Sequence, residues 1–241
     1  MVYLLQGEAL QLSRYTYQKL VWVGVIPAVL AVLVLLIFVR ERTKIPAGGE
    51  KRPLPFTLKG FDIQFKLFLA VVALFTLGNS SDIFLILRAQ NIGSSVFHIF
   101  LMLILFNVVY AISAMPAGIL SDKFGRKNLI AIGWSVYALT YLGFALNPTG
   151  WQIWLLFAFY GLYYGASDGV ARAMVADMVP EEKRGTAYGL YHGVVSIALL
   201  PASLLAGWLW QAFTPATPFF FGAALAAVAT IALLTLIRQQ N

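Results

Sequence analysis

Gly118-Ile119-Leu120-Ser121-Asp122-Lys123-Phe124-Gly125-Arg126-Lys127 decides how this chain is read. About twenty mostly apolar residues lie on each side of it, at 98–117 and 128–146. At 1.5 Å of rise per residue, a helical run of that length crosses roughly 30 Å of hydrocarbon. The ten residues therefore read as a short basic turn between two transmembrane helices.

The rest of the chain agrees. It is 60% hydrophobic and 11% charged, with a mean hydropathy of +0.80. Soluble domains average about 25% charged residues. Seven stretches are long enough to span: 20–39, 65–88, 98–117, 128–146, 151–174, 186–210 and 217–237. Breakers separate them, as at Asn147-Pro148-Thr149-Gly150 and Thr214-Pro215-Ala216-Thr217-Pro218. No strand-like alternation competes, so the expected fold is an all-α polytopic membrane protein with seven transmembrane helices. Cysteine is absent, which excludes disulfides and thiolate metal sites. The two histidines do not make a multi-histidine centre, and no metal or cofactor is expected. The formal charge of +7 lies in short loops between apolar runs, which argues against nucleic acid as a partner.

Residues 1–19 read as an extracytoplasmic segment, 20–39 as a single transmembrane helix, 40–64 as a linker and 65–241 as a six-helix bundle. Arg40, Arg42 and Lys44 follow the first apolar run directly, as in a stop-transfer anchor; a signal peptide has its charge before the run. The linker's Ala47-Gly48-Gly49-Glu50 and Pro53-Leu54-Pro55 oppose a continuous helix. Lys and Arg concentrate on the cytoplasmic side of membrane proteins. Placing 40–64 in the cytosol puts 118–127, 180–185 and the C-terminus there too, with 13 of the 17 basic residues. Arg14, Lys19 and Arg88 fall on the other side, and Arg172 within a span. The expected location is the cell (inner) membrane, with a cytosolic C-terminus.

The 118–127 turn resembles the signature loop of the major facilitator superfamily, roughly G-x-L-x-D-R-x-G-R-K. Gly118, Leu120, Asp122, Gly125, Arg126 and Lys127 match, and Lys123 keeps the charge of the usual Arg. Asp177-Met178-Val179-Pro180-Glu181-Glu182-Lys183-Arg184-Gly185-Thr186-Ala187 looks like the family's second charged turn, after the fourth helix of each half. The family has twelve helices in two six-helix halves, each half being two inverted three-helix repeats. On that pattern the chain is similar to the sixth helix, the central linker and the last six helices. Residues 65–146 and 151–237 then form the two repeats. The resemblance implies a partial secondary transporter. Such a protein moves a small-molecule substrate across a lipid bilayer by alternating access, with protons as the expected coupling ion, and drug or metabolite efflux is one form of it. Its partner is a missing N-terminal six-helix half or a second copy of the chain. A non-transporting remnant is the other reading.

In the signature turn, small Gly118 suits close helix approach and Gly125 a tight turn. Asp122 is expected near the N-terminus of the 186–210 span, where the helix dipole favours an anion. Arg126 is expected to pair with Asp177. With Lys127 and Arg184 nearby, the resemblance implies a latch that closes the inner side in one state. Charges within spans are costly and mark candidate sites. Asp168 and Arg172 are four apart, on one helix face. If their span starts near 151, both join Asp177 and Arg126 in an inner cluster. Asn79 lies about 20 Å and Asp82 about 25 Å from the inner edge. With Asn107, Tyr160 and Tyr164 they lie near the middle or outer half, as substrate or proton candidates. His192, roughly 10 Å inside its span, is a further coupling candidate.

Gly165-Ala166-Ser167-Asp168-Gly169 matches G-x-S-x-G. A serine hydrolase needs that serine on a strained strand-to-helix turn; here it lies in an apolar helix, and an intramembrane hydrolase using His192 is the weakest reading. No P-loop occurs, so ATP is not the expected energy source.

Overall fold

The computed structural model describes residues 14–38, 57–146 and 148–238. All regular structure among them is helical. The helices are α1 (Arg14–Phe38), α2 (Ile63–Gly78), α3 (Ile83–Asn91), α4 (Val96–Phe124), α5 (Arg126–Ala145), α6 (Trp151–Asp177), α7 (Arg184–Ala212) and α8 (Thr217–Leu236). A 3-10 turn, Glu181–Lys183, leads into α7. The chain divides into two units, one carrying α1 together with residues 95–98 and the other carrying the rest of the helices from α2 onward. Most of the expected 40–64 linker lies outside the described residues.

Among the described residues, six helical segments are long and apolar enough to cross a membrane, with α2 and α3 counted as one. α6 is the seventh expected span. Its 27 residues cover about 40 Å, but its tyrosines, Ser167, Asp168 and Arg172 lower its hydropathy. α1 is apolar on every side, as a helix in lipid is.

The helices of the bundle run antiparallel in sequence. α2, α5 and α7 start where α4, α6 and α8 end, at a basic end holding residues 57–64, 122–127, 177–184 and 234–238. The set α2/α3–α4–α5 therefore begins at the basic end, and α6–α7–α8 at the opposite one. An inverted repeat requires that relationship.

Asp62 caps α2 by accepting from the Gln64 amide at 3.0 Å. α5 packs on α6 and α8, and α2 on α7 and α8. The core between them is aromatic, with Phe65, Phe68, Trp134, Tyr137, Phe144, Phe157, Tyr160 and Phe219 all buried. Phe75 stacks on Trp134 at 4.2 Å. α6 meets α4 through Gly161 and Gly165. A Cβ on Gly161 would fall 2.6 Å from the Phe106 carbonyl oxygen, and one on Gly165 would collide with the Ser113 hydroxyl.

Three expectations change. The ten-residue turn is not a loop. α4 continues to Phe124, and Gly125 alone turns the chain, at φ 88°. Only glycine holds that torsion without strain, so the motif's charges lie on helix ends. Gly118 is not a point of close helix approach, since a Cβ there meets nothing within 4 Å. The 65–88 span is not one helix. It stops at Gly78 and restarts at Ile83.

Candidate functional site

At the basic end, Arg126 opens α5 and faces the last residue of α6. Its Nε lies 2.6 Å from Asp177 Oδ2, and its Nη2 lies 3.8 Å from Asp122 Oδ1. Asp122 is 71% exposed and takes no part in capping α7; its ion-pair partner among the described residues is Arg126. One lysine and one arginine close helix C-termini here, where carbonyls lack helical partners, and a second lysine holds the turn before α2. Lys127 Nζ donates to the Ile237 carbonyl at 2.9 Å and to that of Leu234 at 3.3 Å. Lys183 Nζ donates to Gly60 at 2.7 Å, and Arg184 Nε to Ala176 at 3.4 Å. Arg126 and Asp122 also line a groove of about 350 Å³ with Tyr110, Gly118, Ser121 and Arg172.

The helix break is the second centre. Between α2 and α3, Asn79 to Asp82 leave the helical path, and carbonyls at the end of α2 need donors. Tyr137 of α5 donates its hydroxyl to the Gly78 carbonyl at 2.9 Å. Satisfying freed backbone groups from neighbouring helices is what allows a break inside a membrane. The break presents two side chains to α6. Asn79 Nδ2 donates to Tyr163 Oη at 3.1 Å. Asp82 accepts from Tyr160 at 2.6 Å and from Tyr164 at 3.5 Å.

Asn79, Tyr163 and Tyr164 also line a cavity of about 220 Å³ with Phe75, Trp134, Ser167, Asp168 and Tyr191. This relocates Asp168. It stands nine residues, about 14 Å, before the end of α6, so it faces the cavity and is not part of the Arg126–Asp177 cluster. α6 runs to Asp177, past the expected edge at 174, which places Asp168 correspondingly deeper. Asp168 Oδ2 accepts from Arg172 Nη2 at 2.6 Å and from the Tyr110 hydroxyl at 3.0 Å.

Two candidates stay apart. Asn107 donates to the Leu103 carbonyl of its own helix at 2.8 Å and lies in a shallow lateral groove with Phe100, Ile104 and Val108. His192 is exposed on α7 beside the Tyr191 ring. Ser167 is buried and donates to the Tyr163 carbonyl one turn back, at 2.7 Å, so its hydroxyl is occupied within the helix.

Tyr110, Tyr137 and Tyr163 belong to the candidate site by their contacts with Asp168, Gly78 and Asn79, and sequence reasoning missed them. Tyrosine pairs with anions and carbonyls only when a partner helix meets it, and apolar helices give no phase for that meeting. Arg88 was also missed: it is 2% exposed and donates from Nε to the Phe144 carbonyl at 3.0 Å, joining α3 to the end of α5.

Comparison with known proteins completes the identification. The description Major Facilitator Superfamily matches residues 67–241. An uncharacterized MFS-type transporter of Methanocaldococcus jannaschii is 36% identical over 227 residues, covering 92% of this chain and 56% of that protein. The class H tetracycline resistance protein of Pasteurella multocida is 29% identical over 59% of this chain and 35% of its own length. The lysosomal dipeptide transporter MFSD1 of Homo sapiens is 31% identical over 55% of this chain and 30% of its own. The chain thus spans about half the length of the M. jannaschii relative, and less of the other two. With its helical bundle and its charged turns, this integral membrane protein belongs to the Major Facilitator Superfamily, a family of transporters and not of enzymes.

Proposed function

We propose that the chain supplies the C-terminal half of a secondary transporter that moves a small solute by alternating access. The observation that carries this reading is the helix break at 79–82, whose Asn79 and Asp82 both meet tyrosines of α6, Asn79 at the wall of the 220 Å³ cavity and Asp82 beside it. Transporter sites lie near the midplane at such interrupted helices. Arg126, Asp177 and Asp122 form the latch at the cytosolic side, which is the basic end and includes the C-terminus. Asp82, and Asp168 with its Arg172 partner, are the proton-coupling candidates, and Asn79, Tyr160 and Tyr164 the substrate contacts. The membrane is the cell (inner) membrane, and efflux of a drug or metabolite is the form we favour. The M. jannaschii relative, of which this chain covers 56%, supports an N-terminal six-helix half as partner, with a second copy of the chain as the alternative.

The chain contains no cysteine, so one introduced thiol is unique. In Asn79→Cys, alternating access exposes that thiol in turn to each side of the membrane. Labelling by impermeant maleimides from both sides is expected. Labelling from a single side under all conditions overturns the proposal.

A further inference from the structure

The charges around the cavity do not balance. One carboxylate lines it, Asp168; a second, Asp82, is exposed outside that lining, one tyrosine hydroxyl away through Tyr164. Asp168 is neutralised by Arg172 at 2.6 Å. Asp82 has no Lys, Arg or His nitrogen within 4 Å among the described residues; its partners are phenol hydroxyls, which donate without adding charge. The other basic side chain near the break, Arg88, is turned to the Phe144 carbonyl and Asn91. One carboxylate without a basic partner among the described residues therefore stands near an aromatic-lined space in a membrane protein, where an uncompensated ion is costly.

The rest of the lining is aromatic. Phe75, Trp134, Tyr163, Tyr164 and Tyr191 present rings to about 220 Å³ of space. Tyr164 is itself surrounded by Phe106, Tyr110, Tyr160 and Tyr163, with ring centroids 5.0–5.7 Å away. Ring faces attract cations, most strongly where water is excluded. Behind them the hydroxyl of Tyr141 is fully buried without a well-formed hydrogen bond, flanked by Ser80, Tyr137 and Tyr160. This wall offers donors to an anion already present, Asp82, and no free cation to a second anion.

We propose that the cavity takes an organic cation. Its ammonium or amidinium head sits toward Asp82 and Asp168, and its apolar body lies against Phe75, Trp134 and Tyr191. The inference rests on the transporter reading and adds the substrate class. Anionic solutes are rejected by the unpaired carboxylate, and neutral ones gain nothing from it.

The test uses three probes of similar size and the purified protein in lipid nanodiscs. These are phenyltrimethylammonium, its uncharged isostere tert-butylbenzene, and benzenesulfonate, with binding read by equilibrium dialysis. Phenyltrimethylammonium is expected to bind at least tenfold tighter than the isostere, with benzenesulfonate unbound. Asp82→Asn is expected to weaken the cation at least tenfold and leave the isostere unchanged. Equal binding of cation and isostere, preference for the anion, or no binding of any probe overturns the proposal. The charge series on the unaltered protein decides even if Asp82→Asn does not fold. Two-sided labelling of Asn79→Cys with a flat charge series defeats the cation inference and leaves the transporter reading standing.

Discussion

Tyr160 and Asp82 are 78 residues apart in sequence, and the phenol hydroxyl of the first lies 2.6 Å from the carboxylate of the second. This contact fastens the interrupted helix to α6. The contact from Tyr164 is longer, at 3.5 Å. Tyr160→Phe is therefore expected to lower stability by about 1.5–3 kcal/mol, the range for a hydrogen bond to a charged group. Tyr164→Phe is expected to cost less than half as much. Thermal unfolding of both variants in detergent checks the order, and a larger loss in Tyr164→Phe defeats the assignment.

The Arg126–Asp177 pair lines one small pocket at the basic end with Met174, which is 6% exposed. Arg126→Ala should raise the labelling rate of a thiol placed by Met174→Cys severalfold. Asp122→Asn should raise it less, because Asp122 lies 3.8 Å from Arg126 and is mostly exposed. A double-mutant cycle between Arg126 and Asp177 should return about 0.5–1 kcal/mol, as for partly exposed pairs. Equal labelling in all variants removes the latch.

Gly161 and Gly118 make a paired comparison. Gly161→Ala drives a methyl group into the Phe106 backbone and is expected to cost about 1–3 kcal/mol by overpacking. Gly118→Ala meets open space in this structure and should cost under about 0.5 kcal/mol, as surface changes do. Unfolding temperatures of the two variants give the comparison, and equal losses contradict the packing described.

Orientation has its own check. Lys183 is exposed at the basic end, so Lys183→Cys should react with an impermeant maleimide in inside-out vesicles and stay unreactive in intact cells. The reverse pattern inverts the proposed topology.

The apolar runs and their breakers made the helices legible, because a membrane demands length and apolarity over a continuous stretch. The pairing of Arg126 with Asp177 could also be read, since both lie at helix ends on one side. The break at 79–82 could not. Gly78-Asn79-Ser80-Ser81-Asp82 has the same composition as a polar patch within a helix. What permits the break is the hydroxyl of Tyr137, 59 residues away. Facing was equally hidden. Lipid and core are both apolar, so periodicity does not tell which side of α4 holds Asn107 or which side of α7 holds His192. The depth of Asp168 was misjudged because α6 outruns its apolar stretch by three residues.

The turn at Gly125 bears on how movement passes through the bundle. A 29-residue rod and a 20-residue rod meet with one residue between them. Such a joint has two free torsions and no slack. A displacement of Arg126 by Asp177 reaches the end of α4 through that single residue, and a displacement of the end of α4 reaches the start of α5 by the same route. A longer connection would absorb that motion; this one makes the two rods a crank.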